Sequence, residues 1–443
     1  MVNISMDFSA KLCPQSSAIR ALQPKPPDVH DGHPEGWTFS AKNDTSRKCE
    51  TQHLTLGNSK IQFIVGIAVT CLAQRLYAGC TLRSDGPCFY TVTCSDPSTF
   101  RPAYDCSHVD PYVTLHIKQS SVHSVTAKHF ITEFDSFVRI LSAIGNEWHY
   151  LQNEALSNFK NVLYMDLSEN HIKILGNAFN GLEQMDSLNL SRNHIATIKP
   201  GVLQFSENKS RLYMLDLSYN LLTHLSEESF VNLYNLRSLY LQGNKLNTLG
   251  DRFFANFKHL SYLNLCCNDM EALRTNLKYL KLLKELNLSH NRLKKVDITK
   301  LKSLETINLS HNDIEDIYFE DFKQLPLQCL DVSFNKLQKL YVADSAEAGN
   351  ASKPLVKLYL DNNHISYVDE TFFTVFSYIA ILNLGYNNIA GFKADTFRYV
   401  EVLNILIVSK NSKLHLTDDI IIELPQTLIL GKYPPSQTRP RTW

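Results

Sequence analysis

One pattern, L-x-x-L-x-L-x-x-N-x-L, recurs in tandem and constrains the fold more than any other feature of the chain. Clear copies include VLYMDLSENHI (162–172), LYMLDLSYNLL (212–222), LRSLYLQGNKL (236–246), LKELNLSHNRL (283–293) and IAILNLGYNNI (379–389). Weaker copies flank them at 138–148 and 403–411, and YVTLHIKQSSV (112–122) carries Ser120 at the asparagine place. The register asparagines are Asn146, Asn170, Asn193, Asn220, Asn244, Asn268, Asn291, Asn312, Asn335, Asn363, Asn387 and Asn411. Their mean spacing is about 24 residues, the period of a one-turn structural repeat. An array of such turns grows in one dimension, so 443 residues need not divide into several compact domains.

Each residue type has a physical role. The two apolar residues of L-x-L point inward from a short strand, because side chains alternate with period two. Successive strands stack in parallel, about 4.8 Å apart. The asparagine leaves the strand on a tight bend, where its amide can satisfy backbone groups that no strand neighbour reaches. Twelve such amides are expected to form a buried ladder. The return half carries a Phe or Leu and a second apolar residue, as in Phe179/Leu182, Phe230/Leu233, Phe254/Phe257, Phe322/Leu325, Phe373/Phe376 and Phe397/Val400. The expected fold is an α/β solenoid, a leucine-rich-repeat horseshoe with a parallel concave sheet, about 12 repeats over 112–411 and a disulfide-closed N-terminal cap. Two long intervals, after Asn193 and after Asn335, hold polar insertions that read as exposed loops.

The N-terminal part has no such order. Residues 1–60 are broken by Pro and Gly and read as a disordered extension. Residues 61–73 (IQFIVGIAVTCLA) have the length of a signal-peptide apolar region and are too short to span a bilayer. A cut after Ala73 would start the mature chain near Gln74; the alternative is a cell-surface protein anchored by residues 61–79. Residues 74–111 hold Cys80, Cys88, Cys94 and Cys106, which read as a disulfide cap with three pairings open. Such bridges imply an oxidising, extracellular setting. Cys266, Cys267 and Cys329 lie inside repeats and read as free thiols, with an intermolecular bridge as the alternative. Residues 412–443 supply one degenerate strand-like run (Thr427–Leu430) and a Pro-rich tail, read as a C-terminal cap.

With 44 Lys+Arg against 44 Asp+Glu, the chain shows no basic excess and is not read as a nucleic-acid binder. No G-x-S-x-G, H-E-x-x-H or P-loop motif occurs, so no enzyme, metal or cofactor is expected. What remains is binding through outward strand positions. One column reads Asp166, Asn189, Asp216, Tyr240, Asn264, Asn287, Asn308, Asp331, Tyr359, Asn383. Its Asn and Asp members match the repeat filler and read as scaffold. The departures are aromatic: Tyr240, Tyr262, Tyr359 and the flanking Tyr219, Phe334 and Tyr386 are the candidate partner-binding residues, since aromatic side chains are enriched in interface hot spots. His290 and His311 share one register position and read as two solvated histidines. Sequons at Asn208 and Asn350 fall in the inserted loops and are candidate glycan sites. Those at Asn189, Asn287 and Asn308 fall within the repeat consensus.

The tandem units behind a four-cysteine cap resemble the extracellular leucine-rich-repeat proteins of animals. Among these the arrangement is similar to insect leucine-rich-repeat immune proteins, of a type without a coiled coil. The resemblance implies a secreted recognition module in innate immunity that binds a protein or a surface glycan. The competing expectation is an adhesion protein or tethered ectodomain, forming homo- or hetero-dimers through its C-terminal end.

Overall fold

In the computed structural model the described residues are 80–86, 89–94, 112–129, 137–203, 205, 210–273, 277–342, 355–416 and 429–430, of which 80–90, 94 and 429–430 are described in backbone only. The chain divides into Met1–Arg75 and Leu76–Trp443, and every described residue belongs to the second unit. The readings for 1–60, the 61–73 segment, the cap cysteine side chains, Asn208, Asn350 and most of both inserted loops fall outside the described residues.

The second unit is a leucine-rich-repeat solenoid built on one 16-stranded sheet. Cys80–Gly86 pairs antiparallel with Phe89–Cys94, setting Cys80 opposite Cys94. From there every neighbour is parallel, starting with Tyr112–Ile117. Val402–Ile407 is followed by Ile429–Leu430, which adds a further parallel strand. The strands run in strict register: Leu188, Leu215, Leu239, Leu263 and Leu286 occupy one column across five neighbours. All five are buried in the shared core. A one-residue slip would turn each leucine outward, so the L-x-L alternation fixes the register.

Each strand ends in a bend. The residue before every register position, from Gln119 to Lys410, takes a left-handed φ between +53° and +68°. Only Gly145 and Gly243 are glycines there; the others include Tyr219, His290, His311, Phe334 and Tyr386, at a cost of about 1–2 kcal/mol each. The asparagine that follows holds the bend in place. Asn193 is representative. Its Nδ2 donates to the Leu167 and Leu190 carbonyls, both at 3.0 Å. Its Oδ1 accepts the Ile172 N–H at 2.9 Å. All twelve register asparagines bond the preceding repeat in this way, and each is 3–8% exposed. A buried amide with both ends satisfied by a neighbouring turn makes folding a property of the stack.

The return side carries little helix. It is made of 3-10 turns such as Glu227–Phe230, Phe253–Asn256 and Phe319–Phe322, with, among the described residues, one four-residue α turn, Phe372–Val375. A period of about 24 residues leaves too little chain after the strand and bend for a longer helix. The phenylalanine spine fills this side: Phe319 meets Phe372 edge-on at 4.9 Å, and Phe373 meets Phe397 at 5.3 Å. Between bend and return, short parallel pairs form small sheets, among them Ser124–Val125, Tyr150–Leu151 and Ile174–Leu175.

Candidate functional site on the concave sheet

The Asn and Asp residues at the strand ends cap the bend. Asp166, Asn189, Asp216, Asn264, Asn287, Asn308, Asp331 and Asn383 each accept the backbone N–H two residues on, at 2.8–3.1 Å. In several repeats the serine hydroxyl joins in, as from Ser310 to Asn308 at 2.7 Å and from Ser333 to Asp331 at 2.6 Å. This is an Asx turn leading out of the strand. It also engages the side chains of Asn189, Asn287 and Asn308 within their own N-L-S sequons.

Tyr240 and Tyr359 occupy this column in place of a cap. Both are buried, at 3% and 8% exposure, while Tyr219, Tyr262, Phe334 and Tyr386 are half-buried. The reading of an exposed aromatic row is corrected for Tyr240 and Tyr359. Alternation places a side chain on the outer face of a strand, but neighbours about 4.8 Å away on the same face then crowd it.

The structure brings these residues into separate groups. Tyr240 and Tyr262, diagonal neighbours on adjacent strands, have ring centroids 4.9 Å apart, tilted by 41°. At the bends of two neighbouring repeats, the Arg192 guanidinium lies 4.9 Å from the Tyr219 ring centroid. Gly243 lies against that ring, and a Cβ there would stand 2.6 Å from Tyr219 Cδ1. Burial pushes the Tyr219 phenol up from its ordinary range. Phe334 belongs elsewhere: it stacks on His311 at 4.0 Å, and His311 stacks on His290 at 4.0 Å, each at 11°. The two histidines are therefore members of a three-ring stack. Tyr359 and Tyr386 stand in later repeats, Tyr359 in register with Asp331 and Asn383.

Two features escaped the reading of the sequence. Asp361 takes the place of the serine found at 168, 191, 218, 289, 310 and 333. Its carboxylate accepts Asn383 Nδ2 and Asn362 Nδ2, both at 2.8 Å. Burial, and then the like charge of Asp331, push its carboxyl up to about 6. The second is a column of histidines past the bend of the first repeats, whose signal was His at equivalent places in successive repeats. Among the cysteines, Cys266 and Cys267 keep their thiols, with Sγ atoms 3.0 Å apart. Cys329 is buried at the start of its strand and disulfide-bonded, which corrects the reading of a free thiol.

The leucine rich repeat model matches residues 144–195, 204–246, 235–293 and 353–425. A second model, for paired leucine rich repeats, matches 281–324. Human lumican is 31% identical over 198 residues, covering 43% of this chain and 56% of lumican. The chain thus spans about half the length of the curated relatives it matches. Toll in the Drosophila Toll–Spätzle complex superposes with a TM-score of 0.59 at 15% identity, covering 78% of this chain and 50% of that one. The leucine-rich repeat domain of APL1B gives 0.55 at 20% identity, covering 72% and 88%. At these identities the structural likeness speaks to the fold.

Proposed function

As the chain is a leucine-rich-repeat protein, we propose that it is an extracellular recognition module that binds a protein ligand through the concave side of its middle repeats. The observation that carries this reading is the occurrence of two aromatic pairs on consecutive repeats, Arg192 over Tyr219 and Tyr240 against Tyr262. Half-buried Tyr219 and Tyr262 offer rigid amphipathic rings at small entropic cost. Tyr240 supports Tyr262 from beneath. Strands locked by core leucines and the asparagine ladder hold this surface in shape before a ligand arrives, which lowers the cost of binding. The Toll neighbour is itself seen in complex with a protein, Spätzle, as a hub in Drosophila development and innate immunity. That neighbour, together with the four-cysteine segment and the apolar 61–73 stretch, supports a secreted immune role, with a cell-surface form as the alternative. A surface glycan is the second ligand class.

The test is a pull-down from extracellular fluid with wild type and a Tyr219→Ala/Tyr262→Ala variant, each checked for fold by circular dichroism. Loss of the captured partner from the folded variant supports the reading. An unchanged set of partners overturns it.

A further inference from the structure

We propose that a column of four histidines on the flank of the N-terminal repeats is a binding site for a linear polyanion, a sulfated or carboxylated glycan chain, engaged when the imidazoles are protonated. The column lies away from the concave aromatics, just past the asparagine bend and beside the small sheet of Ser124–Val125, Tyr150–Leu151 and Ile174–Leu175. His123 and His149 each stand three residues after their register positions, and His171 and His194 one residue after theirs.

The rings form a continuous file. Centroids are 5.0 Å apart for His123 and His149, 5.2 Å for His149 and His171, and 5.3 Å for His171 and His194. His123, His171 and His194 are exposed, and His149 is half-buried. Together with Glu147 and Lys173 they line an open cavity of about 360 Å³. Two tautomers are set by the backbone. His123 Nδ1 donates to the Ser121 carbonyl at 2.8 Å, and His149 Nδ1 donates to the Glu147 carbonyl at 2.7 Å. Their Nε2 atoms are left to take up a proton; that of His123 lies 3.8 Å from Glu147 Oε2. Tyr150 borders the file, its ring 6.2 Å from that of His149.

The charge inventory points to an anion. Among the residues lining the cavity, the charges of Lys173 and Glu147 cancel in sum, so protonated imidazoles leave a net positive charge. Later repeats fill the place after the register asparagine differently. There Arg292 pairs with Asp269 at 2.9 Å and Lys336 with Asp313 at 2.6 Å, and the row neutralises itself. Along the histidine file, Glu147 beside His123 is the one carboxylate among the residues that line the cavity, against four imidazoles. The outer pairs of rings are stacked and the central pair is tilted by 38°, and among the described residues no group could hold a metal ion. A line of like charges matches a chain that carries anionic groups along its length. Nucleic acid is disfavoured because the chain as a whole carries no basic excess, with 44 Lys+Arg against 44 Asp+Glu.

Protonated imidazoles about 5 Å apart repel one another, and a bound polyanion relieves that repulsion. Binding therefore takes up protons, and affinity must rise as pH falls through the range in which histidine titrates. Each linked proton contributes up to about tenfold per pH unit.

The experiment is calorimetric titration of the full chain with a heparin-derived oligosaccharide at pH 5.5 and 7.5 and constant ionic strength. A His149→Gln/His171→Gln variant, confirmed folded by circular dichroism, and a single-stranded RNA of matched charge are run alongside. The proposal expects affinity about tenfold or more higher at pH 5.5, with that dependence lost in the variant. Equal affinity at both pH values, an unaltered pH profile in the variant, binding only with added zinc, or equally tight RNA binding would overturn it.

Discussion

Asn244 and Leu217, 27 residues apart, are joined across one turn of the solenoid: the asparagine Nδ2 donates to the leucine carbonyl at 3.0 Å. The same side chain accepts the Leu222 N–H at 3.0 Å. Asn244→Ala therefore strips the buried Leu222 N–H of its acceptor and leaves the Leu217 carbonyl with Asn220 Nδ2 alone, at 3.1 Å. The expected cost is about 1–3 kcal/mol by urea denaturation. Exposed Asn247→Ala, three residues on, should stay within about 0.5 kcal/mol.

The packing of Gly243 against Tyr219 predicts a coupling. Gly243→Ala puts a Cβ where the ring lies and should destabilise by about 1–3 kcal/mol. In a Tyr219→Ala background the clash is gone, so only the left-handed backbone cost should remain. A double-mutant cycle should return an interaction energy of about 1 kcal/mol or more. Additive effects would contradict the contact.

Asp361 sets a pH dependence. Its carboxyl is raised to about 6, so between about pH 4 and 6 the folded state holds a proton that the unfolded state has released. Ionising this group costs stability as pH rises through that window. Asp361→Asn keeps an acceptor for Asn383 and removes the charge. At pH 7 the variant should be more stable by about 1–2 kcal/mol, discounted because the side chain is half-buried. At pH 4 the two proteins should unfold alike.

The backbone register sets Cys80 opposite Cys94, and from it we predict a Cys80–Cys94 bridge among the three pairings open to the cap cysteines. Directly opposed residues of an antiparallel pair lie within disulfide reach. Peptide mapping of secreted, non-reduced protein should recover a Cys80–Cys94 linked peptide. Recovery of Cys80 with Cys88 or Cys106 would contradict that choice.

The solenoid was legible because its residues do obligatory work. Leu239 at the column centre and Asn244 at the bend each tolerate few alternatives, so they recur visibly. The site was less legible. Period two tells which face Tyr240 occupies but not how closely Tyr262 crowds it. The left-handed bend leaves no residue-type signal, since Tyr219, His311 and Phe334 all adopt it. The positions held by His171 and His194 carry no repeat consensus, and their importance emerged only when the coil stacked His123 through His194 into one file. Cys329 could not be read from its own repeat at all, because no neighbouring residue in the sequence reports a bridge.

Hydroxyl-radical footprinting of the protein, alone and with its captured partner, tests the recognition surface most directly. Oxidation of Tyr219 and Tyr262 should fall sharply on binding, while the exposed return-side Tyr318 and Tyr399 should be unchanged. Protection of Tyr318 and Tyr399 with Tyr219 and Tyr262 unaffected would place the ligand on the opposite side and contradict the assignment.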